Sequence, residues 1–177
     1  MIFNETKLKG VYVIEIEPKE DKRGFFARTW CREEFKKMGL HTDFVQCNVS
    51  LSLKKGTIRG LHYQIHPYEE VKLVSCIRGS IFDVVVDLRP DSKTYKEWFS
   101  TKLTEDNGKI IYVPKGCAHG IQTLEDNTKI FYQVSQYYHP ESERGIRFDD
   151  PTFNIKWPYT ENITISDKDK NLKDFEE

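Results

Sequence analysis

The sequence predicts an all-β fold, a double-sheet jelly roll, and two features of the chain lead to that prediction. From residue 43 onward, short segments alternate between apolar and polar residues, and turn residues separate them at regular intervals. Spacing of this kind is typical of a β sandwich or barrel, and no helical repeat interrupts it. The length of 177 residues fits one core, so we expect residues 1–177 to form a single domain.

The first 39 residues contain two strand-like segments and the best helix candidate in the chain. Gly10 to Pro18 alternates and ends in proline, which predicts an edge-type first strand. Lys19 to Lys22 has the composition of a polar turn. The aromatic-rich segment Arg23 to Trp30 predicts a second strand, with arginines suited to an anionic ligand. Cys31 to Gly39 predicts a short peripheral helix that ends at the glycine.

Eight further strands follow in the prediction. They cover residues 44–52, 57–64, 71–77, 81–88, 97–103, 109–113, 120–124 and 129–138. The tail from Asp149 loses the alternation, yet Trp157 and the prolines near it indicate packing on the barrel until about Ile165. We therefore expect an irregular C-terminal tail.

The charge balance and the cysteines limit the classes of function. The chain has 27 basic and 28 acidic residues and a formal net charge of -1, which argues against a general nucleic-acid or membrane-surface role. The partner is then expected to be a small molecule. Four scattered cysteines form no CxxC pair, and the first residues lack the apolar core of a signal peptide. These features predict a cytoplasmic protein with reduced thiols.

The segment Thr57 to Gln64 carries polar groups in the middle of a predicted strand. Strict alternation places Arg59 and His62 on opposite faces of that strand. If both line one pocket, the strand must bulge or bend, and Gly60 is the residue that allows it. The alternative is a buried His62 whose ring is satisfied by a backbone carbonyl.

A second pattern lies between Gly108 and His119, where glycine and five residues precede Pro-x-Gly-x-x-His. This resembles the second signature motif of the cupin superfamily, in which proline and glycine shape the turn and the histidine points into the barrel. Thr123 stands where that motif often ends in asparagine. The resemblance implies a cupin jelly roll, a double-stranded β-helix.

A metal site is an alternative that the cupin resemblance raises. The candidate ligands are His62, His66, Glu69, Glu70 and His119. Pro67 follows His66 directly and is expected to place that histidine in a loop, which weakens this alternative.

Nine short motifs in register carry a closer resemblance. They are Arg23-Gly24-Phe25-Phe26, Phe44-Val45-Gln46-Cys47-Asn48, Arg59 to Gln64, Lys72-Leu73-Val74, Phe82-Asp83-Val84, Pro114 to Gly120, Tyr137 to Pro140, Ile155 to Pro158 and Ser166 to Asp169. Together they resemble the dTDP-4-dehydrorhamnose 3,5-epimerase family from about residue 5 to residue 170. The resemblance implies a homodimeric jelly roll without metal or other cofactor. It also implies a nucleotide-diphosphate-linked 4-keto-6-deoxy sugar as substrate, on the pathway to L-rhamnose and related deoxysugars.

The resemblance implies four catalytic residues. Epimerisation beside a ketone needs a base, a group that stabilises the enolate, and an acid on the opposite face. His62 matches the base, because an imidazole can accept a proton near neutral pH, and Asp169 matches the carboxylate that orients it. Lys72 matches the cation near the ketone oxygen, and Tyr132 matches the proton donor.

The resemblance also implies a set of substrate-binding residues. These are Arg23, Gln46, Asn48, Arg59, His119, Glu143 and Lys168, together with Tyr138, which would stack on the nucleobase. Alternation over Lys129 to Tyr138 places Tyr132 and Tyr138 on one face, so an inward Tyr132 predicts an inward Tyr138. Asp83 lies among apolar residues, and we assign it no role.

One position departs from the family pattern. The family typically has Arg-Gly-Phe-Phe-x-Glu, and this chain has Arg28 in place of the glutamate, which in the family contacts the nucleotide of the neighbouring subunit. Arg28 is therefore also predicted to contact substrate, with another base or a different diphosphate pose.

Three functions stay open at the level of sequence. The first is a cofactor-free epimerase acting at both carbons, or at one carbon of a CDP- or GDP-linked 4-keto sugar. The second is a metal-dependent cupin enzyme. The third is a protein that binds nucleotide sugars without catalysis.

Overall fold

The computed structural model describes residues 1–176, which form two large antiparallel sheets and a separate hairpin. The six-stranded sheet has the order β1 (Ile2–Glu5), β2 (Tyr12–Glu15), β10 (Lys109–Val113), β7 (Lys72–Arg78), β12 (Thr128–Val134) and β5 (Gln46–Ser52). The five-stranded sheet has the order β13 (Glu143–Gly145), β6 (Ile58–Gln64), β11 (Cys117–Thr123), β8 (Ser80–Asp87) and β9 (Trp98–Thr104). The hairpin pairs β3 (Lys19–Asp21) with β4 (Gly24–Phe26). The all-β jelly roll predicted from the sequence is confirmed.

Apolar residues of the two sheets meet in the interior of the jelly roll. Val74 and Ile130 of the six-stranded sheet belong to the same buried cluster as Val85 and Ile121 of the five-stranded sheet. Alternation along each strand produces this arrangement, because every second side chain points inward. Tyr132 is partly buried and packs against this apolar cluster.

Two segments outside the sheets cover parts of their outer faces. The helix α1 (Arg32–Lys37) buries Phe35 against the six-stranded sheet. The C-terminal tail covers the five-stranded sheet, with Trp157 buried beside Leu61 and Val84. The tail includes a second helix, α2 (Asp167–Lys170). After this helix, Phe175 packs against the buried cluster that contains Leu61, Val84 and Trp157.

Several element predictions need correction. The predicted first strand, β2, does not lie at an edge, because the unpredicted strand β1 precedes it. The predicted turn at residues 19–22 is strand β3, because it pairs with β4 in the hairpin. Tail packing continues beyond Ile165 through α2, which the sequence analysis did not predict.

Strand β6 contains the bulge predicted at Gly60. His62 lies opposite His119 and Arg59 lies opposite Ile121, so β6 holds one residue more than β11 over this interval. Gly60 has φ of 112°, and a Cβ atom there would lie 2.7 Å from the Cα atom of Gly120. Only glycine fits this close approach of the two strands.

Within the described residues, the cysteines form no disulfide, and the two helices are short. Cys31, Cys47, Cys76 and Cys117 are all free thiols. Neither helix in residues 1–176 has the length and apolar character needed to cross a membrane.

Candidate active site

Two adjoining spaces open at one end of the jelly roll. The outer cleft has a volume of about 400 Å³ and the inner cavity about 220 Å³. His62, Lys72 and Tyr132 line both spaces. The outer cleft is also lined by Gln46, Asn48, Tyr63, Gln64, Glu70, Val134, Gln136, Tyr138 and Glu143, and the inner cavity by Ser50, Arg59 and His119.

His62 and Asp169 form a hydrogen-bonded pair at the junction of the two spaces. His62 Nε2 lies 2.8 Å from Asp169 Oδ1, and Asp169 Oδ2 accepts a hydrogen bond of 3.1 Å from the backbone N–H of Gly60. Burial acts to raise the pKa of Asp169, but the hydrogen bond and charge of His62 outweigh it and lower the pKa overall. When Nε2–H donates to this carboxylate, Nδ1 is the basic nitrogen of the neutral ring.

The last helix brings Asp169 to His62. The side chain of Ser166 caps α2 by accepting a hydrogen bond of 3.1 Å from the backbone N–H of Asp169. This cap fixes the first turn of a helix of only four residues. The carboxylate is thereby held in a buried position across from β6.

The bulge in β6 places Arg59 and His62 in the same cavity. The Arg59 guanidinium donates to the side chain of Ser52 and to the carbonyl oxygen of Leu51, at 3.0 Å each. Both partners lie on β5, so the arginine bridges the two sheets at the rim of the cavity. The predicted bend of the strand is therefore present.

Lys72 projects from β7 between the outer cleft and the inner cavity. Its ammonium donates to the backbone carbonyl of His62 at 3.1 Å and forms an ion pair of 3.0 Å with Glu70. The side chains of Lys72 and Glu70 are only 11% and 13% exposed. A fixed positive charge therefore lies beside His62.

Tyr132 lines the inner cavity together with His62, and its phenol is protonated at neutral pH. Burial raises the pKa of its phenol to about 12. Its ring makes an edge contact with His119, with the ring centres 6.3 Å apart. A buried phenol of this kind can donate a proton to a bound molecule.

His119 belongs to a second histidine and aspartate pair. His119 Nε2 lies 2.9 Å from Asp83 Oδ2, and both side chains are almost fully buried. The sequence predicts no role for Asp83. The only signal in the sequence was a carboxylate among apolar residues on a central strand.

A polar cluster borders the mouth of the outer cleft. The Tyr138 hydroxyl donates to Glu143 at 2.7 Å, and the Lys168 ammonium binds the same carboxylate. Burial raises the pKa of Glu143, but Lys168 and Tyr138 outweigh that effect and lower it. Tyr138 reaches the cleft by a different route from the predicted one, because β12 ends at Val134 and a turn carries the chain onward.

Arg23 and Arg28 do not line the two spaces in this chain. Arg23 binds its hairpin neighbour Asp21 at 2.6 Å, and Arg28 binds Glu34 at 2.7 Å. The hairpin that carries Arg23 pairs with neither large sheet. The other predicted binding residues all line or border the outer cleft or the inner cavity.

The residues of the metal alternative do not converge. His66 is 87% exposed and faces Glu69 at 3.4 Å, away from the outer cleft. Across residues 1–176, no group of three His, Cys, Asp or Glu side chains has an arrangement suited to a metal ion.

Comparisons with known proteins agree on one family. A family model described as dTDP-4-dehydrorhamnose 3,5-epimerase matches residues 5–177. A relative of that name from Methanothermobacter thermautotrophicus is 42% identical over 177 residues, covering 99% of this chain and 95% of the relative.

Two solved structures are similar over nearly the whole chain. The Bacillus anthracis str. Ames dTDP-4-dehydrorhamnose 3,5-epimerase, with TDP and PPi bound, has a TM-score of 0.94 and 40% identity, covering 98% of this chain and 99% of that one. A dTDP-6-deoxy-D-glucose-3,5-epimerase from Legionella pneumophila Philadelphia 1, in complex with dTDP-4-keto-L-rhamnose, has a TM-score of 0.92 and 37% identity, covering 98% and 92%.

Proposed function

The chain belongs to the dTDP-4-dehydrorhamnose 3,5-epimerase family, and on that premise we propose that it epimerises dTDP-4-dehydro-6-deoxy-D-glucose to dTDP-4-dehydro-L-rhamnose. The observation that carries the proposal is the convergence of His62, Lys72 and Tyr132 on the junction of the two spaces. These three groups are a base, a cation and an acid. Inversion beside a ketone requires those three groups.

The reaction begins with proton removal. Nδ1 of His62 takes the proton from a carbon next to the ketone, and the electron pair of the C–H bond moves into an enolate. The Asp169 carboxylate stabilises the imidazolium that forms. The Lys72 ammonium stabilises the negative charge on the enolate oxygen.

The reaction ends with proton return. Tyr132 gives its phenolic proton to the same carbon from the opposite face, and the configuration inverts. His62 then holds an extra proton and Tyr132 lacks one, so exchange with solvent restores both groups. Two rounds, at carbon 3 and carbon 5, complete a double epimerisation.

The two spaces suit the two halves of the substrate. The sugar ring would occupy the inner cavity, beside Arg59 and His119. The nucleotide would lie in the outer cleft, where Tyr138 offers an exposed aromatic ring and Lys168 a positive charge. Arg28, the residue that raised the question of another base, is held by Glu34 on its own subunit. Since this ion pair occupies Arg28, we propose the dTDP-linked sugar as the substrate.

A homodimer would complete this site. The outer face of the six-stranded sheet exposes Val49, Leu51 and Ile77, an apolar surface suited to a second copy of the chain. The hairpin exposes Phe25 and Phe26 and touches neither large sheet through strand pairing. We propose that it reaches the partner's outer cleft and supplies Arg23 there.

We also propose a cellular location and a domain organisation for the protein. Four free cysteines are compatible with a cytoplasmic location, where nucleotide sugars are made available. The whole of residues 1–177 is proposed to act as one domain.

Deuterium incorporation tests the function. The protein is incubated in deuterated water with dTDP-4-dehydro-6-deoxy-D-glucose, and proton NMR and mass spectrometry follow the sugar. We expect deuterium at carbon 3 and carbon 5. His62→Ala should lower the rate by at least about 10²-fold, because it removes the general base, and His66→Ala is the matched control. Absence of exchange with the wild-type protein would refute the proposal, and exchange at one carbon would restrict it to a single epimerisation.

A further inference from the structure

Lys72 is held from one side by Glu70, a carboxylate that has no part in the proposed epimerisation. Glu70 lies just before β7, and its Oε1 is 3.0 Å from the Lys72 ammonium. We propose that Glu70 is a positioning residue, which holds the Lys72 ammonium toward the ketone oxygen of the substrate. This inference rests on the proposed epimerase function.

The geometry fixes the direction from which Glu70 acts. Lys72 borders both spaces, whereas Glu70 borders only the outer cleft. An ammonium has three N–H donors. Glu70 takes one from the outer side and the His62 carbonyl takes a second, so the third is left for an oxygen in the inner cavity.

Glu70 itself is largely enclosed, with its side chain only 13% exposed. Gln64 lies 3.5 Å from its other carboxylate oxygen, Oε2. The Gln64 amide is held in turn by the carbonyl oxygens of Tyr68 and Tyr137, at 3.0 and 3.1 Å, and by the backbone N–H of His139 at 2.7 Å. A side chain in this setting can hold a long, flexible lysine in one conformation.

The negative charge of Glu70 has a second consequence for Lys72. A diphosphate in the outer cleft would be a strong competitor for a nearby ammonium. Glu70 occupies the side of Lys72 that faces this cleft, and its carboxylate repels phosphate oxygens. The ammonium is therefore reserved for the enolate.

Three variants test this role. Glu70→Ala should lower kcat for solvent exchange by about 10-fold to 100-fold with KM changed less than about 3-fold, because the loss falls on enolate stabilisation. Glu70→Gln should give a kcat between those of Glu70→Ala and the wild type, since the amide oxygen still accepts from Lys72 but the neutral side chain no longer repels phosphate oxygens. The matched control is Glu69→Ala, which removes the neighbouring carboxylate that faces His66 outside the cleft.

A double-mutant cycle with Lys72→Met separates positioning from a general structural effect. If Glu70 acts through Lys72, Glu70→Ala should lower the residual exchange rate no further in the Lys72→Met background. An equal loss in both backgrounds, or a Glu70→Ala protein with wild-type kcat, would overturn the inference. A wild-type protein that shows no exchange would instead refute the epimerase function itself.

Discussion

His62 and His119 have the same kind of partner and differ in access. Each ring lies within 3 Å of an aspartate oxygen. The His62 side chain is 30% exposed and lines both spaces, whereas the His119 side chain is 4% exposed and lines only the inner cavity. A base must reach both the substrate carbon and, between rounds, the solvent. Access therefore supports His62 as the proposed base and His119 as a proposed binding group.

Tyr132→Phe should separate proton removal from inversion. The variant keeps His62 and Lys72, so the enolate still forms, but the opposite face receives no proton from the phenol. We expect the rate of product formation to fall by about 10²-fold while deuterium still enters the unreacted sugar at a measurable rate. NMR of both sugars over one time course provides the measurement. Equal losses of exchange and inversion would contradict Tyr132 as the acid.

Sequence alone predicted part of the site, and the limits have physical causes. The bulge at Gly60 followed from the need to bring Arg59 and His62 to one pocket. The pairing of Asp83 with His119 could not be predicted, because 36 residues separate them and their contact depends on strand order. The catalytic roles themselves came from family resemblance and stay predictions.

At the scale of elements, strands with turn residues on both sides were the easiest to predict, as with Gly108 and Pro114 around β10. The bounds of β10 agree with the prediction, and α1 lies within its predicted range. The strand at residues 19–21 was missed because it consists only of charged residues, and α2 was missed because four charged residues show no periodicity. Strand β3 is fixed by its pairing with the adjacent strand β4, and α2 is fixed by the contacts of Asp169 with the distant residues His62 and Gly60.

The loop after β8 is anchored by a buried carboxylate. Asp87 is fully buried and accepts hydrogen bonds from Arg89, Ser92 and Thr94. Burial acts to raise its pKa, but these donors outweigh that effect and lower the pKa from 3.8 to about 2. A carboxylate with such a shift stabilises the folded state above its unfolded pKa, and the stabilisation is lost as the pH falls through the folded value.

Asp87→Asn should therefore lower the free energy of unfolding by about 2 kcal/mol at pH 7. Urea unfolding of both proteins is the measurement, and the difference should shrink between pH 4 and pH 2 as the wild-type carboxylate becomes protonated. Asp91→Asn, on the exposed part of the same loop, is the control and should leave stability within about 0.5 kcal/mol. A difference that persists unchanged at pH 2 would contradict the electrostatic cause.

At the scale of the whole molecule, one chain lacks part of its predicted binding set. Arg23, on the hairpin, and Arg28 lie outside both spaces, although the other predicted binding groups line or border them. A second copy that lends its hairpin would supply the missing arginine. Each site would then combine His62 of one subunit with Arg23 of its partner.

Mixing two inactive variants tests this arrangement. His62→Ala lacks the base, and Arg23→Glu replaces the proposed phosphate ligand with a repelling charge. Co-expression of the two should restore about one quarter of wild-type activity, because half of the dimers are mixed and each holds one intact site. Solvent exchange measures the recovery. Activity no higher than the sum of the two separate variants would contradict a site shared between subunits.

The close approach of β6 and β11 also limits how this sequence can change over time. A Cβ atom on Gly60 would meet Gly120, and a Cβ atom on Gly120 would lie 3.0 Å from the carbonyl oxygen of Arg59. Every single-nucleotide missense change in a glycine codon introduces a side chain, so neither position has a single-nucleotide amino-acid replacement that leaves the gap empty. A change at one glycine cannot compensate for a change at the other, because each adds volume to the same gap. We expect both codons to be under strong purifying selection wherever this bulged site is retained.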